Sequence, residues 1–281
     1  MILVTGANGY IGSHLCHRLA ELNEKFVGVD TKVYINRVSG EYSYDRDIRD
    51  YHSMKQIFRK HSIDTIIHLA AYKSIPESVD EPEKYFQNNI NCTTNLLLLA
   101  KEFKCRHFVF SSTCAVYGDN ASPVTEDSPM DMSDDNPYAL SKYICEGIIQ
   151  NSKIHSTILR YFNPIGEYYG IRDFSSDGIN TAIRRARNGE MFKIYGGDYK
   201  TVDGTPERDF IDIRTLVEAH IHAMRNPAFL GETVNVGLGR PRSVKQLCEE
   251  LGIKYEIVGR REGDVPSIWA STQHYEKLMS L

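Results

Sequence analysis

A doubly wound parallel α/β sheet with a smaller, interleaved C-terminal lobe is the fold class that the 281-residue sequence predicts. Over the first two-thirds of the chain, short β-branched runs alternate with helix-length apolar periodicity, the rhythm of strands joined by right-handed crossovers. A glycine-rich turn separates the first run from the first helical stretch. After residue 162 the rhythm breaks into Gly- and Asp-rich stretches at 166–178 and 196–204 between shorter elements, which places a second lobe there.

In chain order, the runs at 2–5, 26–30, 65–70, 107–112 and 157–162 read as buried strands because they are rich in Val, Ile, Thr and Phe. The stretches 10–22, 51–61, 82–103 and 137–151 read as helices. Further strands at 193–195, 209–213 and 233–236 and helices at 216–224 and 244–251 are shared between the lobes. No internal repeat or low-complexity linker interrupts the chain.

The net charge of −4 leaves no global field for a nucleic-acid backbone, so any phosphate must be held by local groups. Six cysteines without a CxxC pair or metal-ligand spacing read as reduced thiols, and no metal site is expected. The N-terminus enters Ile2-Leu3-Val4-Thr5 without a leader pattern, and the longest aliphatic run, 96–100, is far below the roughly 20 residues that span a bilayer. A cytoplasmic protein is expected, with neither nucleic acid nor membrane as partner.

Thr5-Gly6-Ala7-Asn8-Gly9-Tyr10-Ile11-Gly12 directly follows the first strand and opens the first helix. In that setting Gly6 and Gly9 permit a tight turn whose backbone N–H groups approach a pyrophosphate at the positive helix end, and Gly12 allows close packing. A glycine cluster alone is usually only a turn. Here the second strand also ends on Asp30, placed to accept hydrogen bonds from an adenosine ribose and to repel a 2′-phosphate. NAD is the cofactor this combination predicts. Asp47-Ile48 is placed to meet the adenine, although Asp47 suits a helix N-cap equally well. Leu69-Ala70-Ala71 ends the third strand with small residues beside the nucleotide, and Asn88 either contacts the cofactor or faces solvent.

Ser111-Ser112-Thr113 ends a strand, and Tyr138 and Lys142 stand four residues apart on the helix that follows, so their side chains share a face. A tyrosine with an ordinary pKa of about 10 serves as a base at neutral pH only beside positive charge, which Lys142 and an oxidised nicotinamide would supply. The same spacing recurs at Tyr51 and Lys55, but no hydroxyl-rich strand end leads into it. Tyr51 is therefore read as a surface or packing residue, and Tyr138, behind Asn136-Pro137, as the functional one.

Together these motifs resemble the extended short-chain dehydrogenase/reductase family over residues 1 to about 275. Stretches 9–14, 63–78, 110–118, 160–166, 203–212 and 260–270 are similar to the UDP-galactose 4-epimerases in particular. The resemblance implies that Tyr138 is the acid/base, that Thr113 binds the sugar hydroxyl, and that Lys142 holds the nicotinamide ribose while lowering the tyrosine pKa. It implies cofactor contacts at Ser111 and Tyr161, a phosphate contact at Lys73, and substrate contacts at Asn163, Arg208, Arg261 and Asp264, with Ile268 at the position that gates sugar size. The implied reaction is inversion at C4 of a UDP-hexose through a 4-keto sugar.

The resemblance divides the chain into an NAD-binding domain, 1–164 with 207–240 returning to it, and a substrate lobe, 165–206 with 241–281. Helices 82–103 and 137–151 resemble a dimer bundle, so a homodimer is expected. Dehydratase relatives need an acidic pair where Cys114-Ala115 stands. UDP-N-acetylhexosamines and UDP-hexuronates remain alternative substrates, and a silent NAD-binding scaffold is the alternative to an enzyme. The chain departs from the family in a short loop at 31–44, in the residues around Gly178, where Asn180 is the substitute for an expected asparagine, and in stopping at Leu281, which suggests a trimmed small lobe.

Overall fold

The computed structural model describes residues 1–31, 42–131, 135–173, 175, 178–261 and 264–281, so most of the short loop at 31–44 lies outside the described residues. Its strands are β1 (Ile2–Thr5), β2 (Phe26–Asp30), β3 (Tyr42–Asp45), β4 (Thr65–His68), β5 (His107–Thr113), β6 (Ser156–Tyr161), β7 (Asn163–Ile165), β8 (Phe192–Tyr195), β9 (Glu207–Arg208), β10 (Phe210–Asp212), β11 (Thr233–Val236), β12 (Arg242–Ser243), β13 (Tyr255–Val258) and β14 (Ser267–Ile268). The helices are α1 (Tyr10–Glu21), α2 (Tyr51–Lys60), α3 (Ile75–Asp80), α4 (Pro82–Tyr85), α5 (Asn91–Glu102), α6 (Pro137–Gln150), α7 (Ile179–Arg187), α8 (Ile213–Arg225), α9 (Val244–Glu250) and α10 (Gln273–Met279).

Seven strands form one sheet in the order β11-β6-β5-β4-β1-β2-β3, every pairing parallel. The fold is the doubly wound one the alternation predicts. Strands β1, β4 and β6 are buried along their whole length because helices cover both faces, which explains their unbroken apolar runs. Leu15 and Leu19 of α1 pack with Leu216 and Val217 of α8 on one face, and Met54, Leu96, Cys145 and Ile149 from α2, α5 and α6 fill the other.

The sheet order reverses between β1 and β4, where a crevice opens beyond their C-terminal ends. Beside the sheet, β8 and β13 pair in parallel under α7 and α9 around Ile183, Phe192, Ile194 and Leu247. Strand β9 pairs with β12 and β14, setting Arg208 opposite Ile268 in register.

Several elements differ from the sequence reading. The helix expected over 82–103 is broken by a π turn, Phe86–Ile90, between α4 and α5. The extra residue per turn there accompanies burial of Asn89, described below. The strand expected over 209–213 is β10, Phe210–Asp212, with the separate two-residue β9 before it, and it stops at Asp212, whose side chain accepts the Arg214 N–H and starts α8 at Ile213. Edge strand β3 was not expected because Tyr42-Ser43-Tyr44-Asp45 alternates polar and half-buried positions like a turn. Asp50, not Asp47, caps α2, by accepting the Ser53 N–H.

Candidate active site

The glycine turn after β1 is shaped by contacts that forbid side chains. Gly6 has a φ of +69°, and a Cβ there would stand 2.8 Å from the Ala70 nitrogen; a Cβ on Gly12 would stand 2.0 Å from the Gly6 carbonyl oxygen. Gly9 precedes α1 without a side-chain cap, and the first turn, Tyr10-Ile11-Gly12-Ser13, holds no acid, so the positive helix end faces the crevice uncompensated. Asp30 accepts the Asn8 N–H at 2.9 Å, which fixes the carboxylate beside the turn. A cradle of bare backbone, a free helix end and a carboxylate one strand away suit the pyrophosphate and ribose of a dinucleotide.

The remaining cofactor candidates surround this turn unevenly. Leu69, Ala70 and Ala71 follow β4, with the Ala70 N–H donating to Thr5 Oγ1 at 3.4 Å. Asp47 accepts from the Arg49 backbone and guanidinium, and those hydrogen bonds hold its carboxyl below the usual range. Ile48 is buried, its carbonyl taken by Asn95. Lys73 is half-exposed and lies 3.6 Å from the buried Asp173. Asn88 donates to Asn89, while Asn89 itself is buried and bridges Tyr72 to Ser141, tying the loop after β4 to α6. Sequence reading singled out the neighbour of the buried asparagine because nothing local says which side chain a π turn rotates inward.

Asn136 accepts the Ala139 N–H and, with Pro137, starts α6 one residue ahead of Tyr138. Thr113, at the end of β5, hydrogen-bonds Tyr138 and accepts the Ala115 N–H at 3.2 Å. Burial pushes the Tyr138 hydroxyl up to about 12; the bond to Thr113 opposes that rise and the Cys114 thiol adds to it. Lys142 is buried, donates to the Ser111 carbonyl at 2.7 Å and lies 4.6 Å from the Phe110 ring centre. Burial pulls its ammonium down to about 8. In the protein alone burial therefore outweighs the contributions that lower Tyr138. Tyr51, by contrast, donates to Glu102 on the surface beside Lys55.

Behind the strand end lies a network that sequence reading missed. Ser112 donates to Glu146, whose carboxylate also takes the Arg160 guanidinium at 2.7 Å, and both charged side chains are essentially closed to solvent. Arg160 continues to Tyr117 at 2.9 Å. Tyr161 turns its hydroxyl into the core, between His220 and Ser111. The Tyr10 hydroxyl donates to the Gly166 carbonyl at 2.6 Å, and Asn180 donates to the Pro164 carbonyl at 3.0 Å.

Across the crevice, Asn163 at the start of β7 keeps a buried Oδ1 with no hydrogen-bond partner. Arg208 lies 3.4 Å from Asp264, and the Arg261 guanidinium stands 4.0 Å from the Tyr195 ring centre. Ile268 is buried among Val116, Tyr117 and Phe162. The structure thus brings Thr113, Tyr138 and Lys142 to one strand end, and joins Arg208 of β9 to Asp264 by an ion pair and to Ile268 of β14 in register.

The model described as the NAD dependent epimerase/dehydratase family matches residues 2–237. Among curated relatives, UDP-glucose 4-epimerase of Haemophilus influenzae is 33% identical over 322 aligned positions, covering 99% of this chain and 95% of the relative. That alignment is longer than the 281-residue chain, so the relative carries internal insertions that this chain lacks. The bifunctional protein gal10 of Schizosaccharomyces pombe is 36% identical over 96% of this chain, which spans 43% of its length. A solved UDP-glucose 4-epimerase from Bifidobacterium longum in complex with NAD+ and UDP superposes with a TM-score of 0.90 at 30% identity, covering 99% of this chain and 92% of that one.

Proposed function

The chain belongs to the NAD dependent epimerase/dehydratase family, and within it we propose that it is an isomerase that interconverts UDP-galactose and UDP-glucose by inversion at C4. The relatives named UDP-glucose 4-epimerases support this reading. The single observation that carries it is the hydrogen-bonded Tyr138–Thr113 pair at the end of β5, with the buried Lys142 on the same helix.

NAD is the cofactor, and the bare backbone of Gly6, Gly9 and Gly12, the uncapped end of α1 and the Asp30 carboxylate fit it. Asn8, Tyr10, Ile11, Asp47, Ile48, Leu69, Ala70, Ala71, Lys73, Asn88, Ser111 and Tyr161 are the further cofactor contacts proposed with it; Ile48 and Tyr161 among them are buried, the Tyr161 hydroxyl being held by His220. When bound, NAD supplies a reversible two-electron acceptor whose positive ring adds the charge that the Tyr138 phenolate otherwise lacks. Tyr138 takes the proton from the sugar 4-hydroxyl, and Thr113 orients that hydroxyl. Lys142 keeps the ammonium end of α6 fixed against the Ser111 carbonyl.

Arg208 and Arg261 hold the diphosphate, Asp264 the ribose, and Asn163, whose unpaired Oδ1 can accept from a sugar hydroxyl, borders the sugar beside the diphosphate. Strong charges thereby grip the nucleotide, while the sugar meets mainly neutral groups and is free to turn between its two faces. Ile268, packed against Val116, Tyr117 and Phe162, is the residue we assign to gating sugar size, and UDP-N-acetylhexosamines stay the alternative substrates that the assay below discriminates.

The sheet with its returning segment 207–240 forms the NAD-binding domain, and 165–206 with 241–281 the substrate lobe. Leu98 on α5 is half-exposed, which supports a homodimer through the α5 and α6 helices, and light scattering that shows only monomer at micromolar concentration would overturn it. A cytoplasmic location follows from the same reading. Incubation of NAD-loaded protein with UDP-galactose, UDP-N-acetylgalactosamine and UDP-galacturonate tests the activity: UDP-glucose should form fastest, and no turnover of any of them would leave an NAD-binding scaffold.

A further inference from the structure

Among the described residues, two buried side-chain polar atoms lack a hydrogen-bond partner, Asn163 Oδ1 and the Tyr199 hydroxyl. The second is the less expected. Tyr199 follows the β8 turn, is only 7% exposed, and its ring is immobilised on every side that the structure records. Its own N–H donates to the Gly204 carbonyl at 3.0 Å. One edge lies against Gly196, where a Cβ would stand 2.3 Å from the Tyr199 ring carbon Cε2. The Arg260 guanidinium covers a face at 4.3 Å and is itself held by Asp198 at 2.7 Å.

A buried hydroxyl left unpaired costs about 1–3 kcal/mol, so a fixed ring that holds one in place points to a partner in another state of the protein. The charged groups that act on this hydroxyl are Asp264 first, then Arg260, Arg208 and Asp198. Asp264 is engaged with Arg208, but only at 3.4 Å and through a single oxygen. Arg208 is also the guanidinium assigned to the diphosphate, so it cannot serve both carboxylate and phosphate at full strength once a nucleotide sugar arrives.

Building on the nucleotide-sugar reading above, we infer that Tyr199 is a positioning residue: when the diphosphate draws Arg208 away, the Tyr199 hydroxyl donates to the released Asp264 carboxylate and holds it for the ribose. The exchange leaves each of these groups with a hydrogen-bond partner when nucleotide is bound. In the free protein Asp264 is satisfied by Arg208 and Tyr199 is the orphan; in the loaded protein Arg208 has the phosphates and Tyr199 has Asp264.

Tyr199→Phe keeps the ring, its seat on Gly196 and the Arg260 stack while removing the hydroxyl. Calorimetric titration of wild type and Tyr199→Phe, both NAD-loaded, with UDP and with uridine reads the hand-over. UDP affinity should fall about tenfold, or about 1.4 kcal/mol, whereas uridine, which has no phosphate to draw Arg208, should change less than twofold. The thermal midpoint without nucleotide should hold or rise, because an orphan hydroxyl has been removed. Equal weakening of UDP and uridine would indicate a direct nucleoside contact and overturn the inference, as would unchanged UDP affinity or a lower nucleotide-free midpoint. If the wild type binds no UDP at all, the nucleotide-sugar reading itself fails, and this inference with it.

Discussion

At the C-terminal edge of the seven-stranded sheet the polar side chains are few, buried and pointed at one another: Lys142 lies under Ser111, Tyr138 against Thr113, and Glu146 against Arg160. At the N-terminal edge the cations Lys101, Lys104, Lys153 and Arg225 stand exposed around a cleft of about 780 Å³, floored by Ala100, Ile154, Met224 and Leu230. Exposed positive charge around a cleft would by itself choose the second region as the site. Its cations, however, cluster where α5, α6 and α8 end, with Lys101 and Arg225 in the last turns of α5 and α8, and there a positive charge offsets the negative helix end. The lesson is that burial at a strand terminus, where desolvation shifts proton affinities, marks chemistry better than an exposed charged groove does.

Four variants can break or sharpen that contrast. The largest effect is expected for Glu146→Leu, which leaves Arg160 buried without its carboxylate and should cost about 3–5 kcal/mol in denaturant unfolding. Lys142→Met should lower kcat about 10²–10³-fold in the UDP-galactose assay. It also has a pH signature. Burial lowers the folded-state pKa of Lys142 to about 8 from its ordinary value of 10.5, so the unfolded chain binds more protons between those two values. Wild-type stability should therefore rise relative to Lys142→Met as pH climbs above 8, by up to about 1.4 kcal/mol per unit, and be level with pH below it. A difference that instead shrinks above pH 8 would show the ammonium to be paired, not merely desolvated.

Smaller effects separate the cradle from the far groove. Gly6→Ala forces a side chain into a φ of +69° with its Cβ 2.8 Å from Ala70, and should cost about 1–2 kcal/mol together with NAD content measured after purification. Lys104→Ala combined with Lys153→Ala should change stability by less than about 0.5 kcal/mol and leave UDP-galactose turnover within twofold. Loss of turnover in that double variant would make the N-terminal groove functional and erase the contrast.

The parts of this site that were legible in the sequence are those carried by contiguous residues. The run from Thr5 to Gly12 announces a strand, turn and helix, and Asn136-Pro137 announces the start of the helix that displays Tyr138 and Lys142 on one face. The parts that were not legible depend on residues far apart in the chain. Glu146 meets Ser112 from 34 positions away and Asn89 meets Ser141 from 52, and neither pairing leaves a local pattern. Tyr199 looked like one more aromatic in a glycine-rich loop until its seat on Gly196 and its unpaired hydroxyl were seen together. The proton affinity of Tyr138 belongs to the same class, since the spacing to Lys142 suggests a lowered pKa whereas burial raises it.

The central claim is that Tyr138 is the acid/base of a UDP-hexose 4-epimerase, and the most direct measurement is UDP-galactose turnover by NAD-loaded wild type beside Tyr138→Phe with its NAD content verified. Wild type should form UDP-glucose, and the variant should be slower by about 10²–10⁴-fold with NAD retained. A Tyr138→Phe enzyme that turns over within threefold of wild type would contradict the claim.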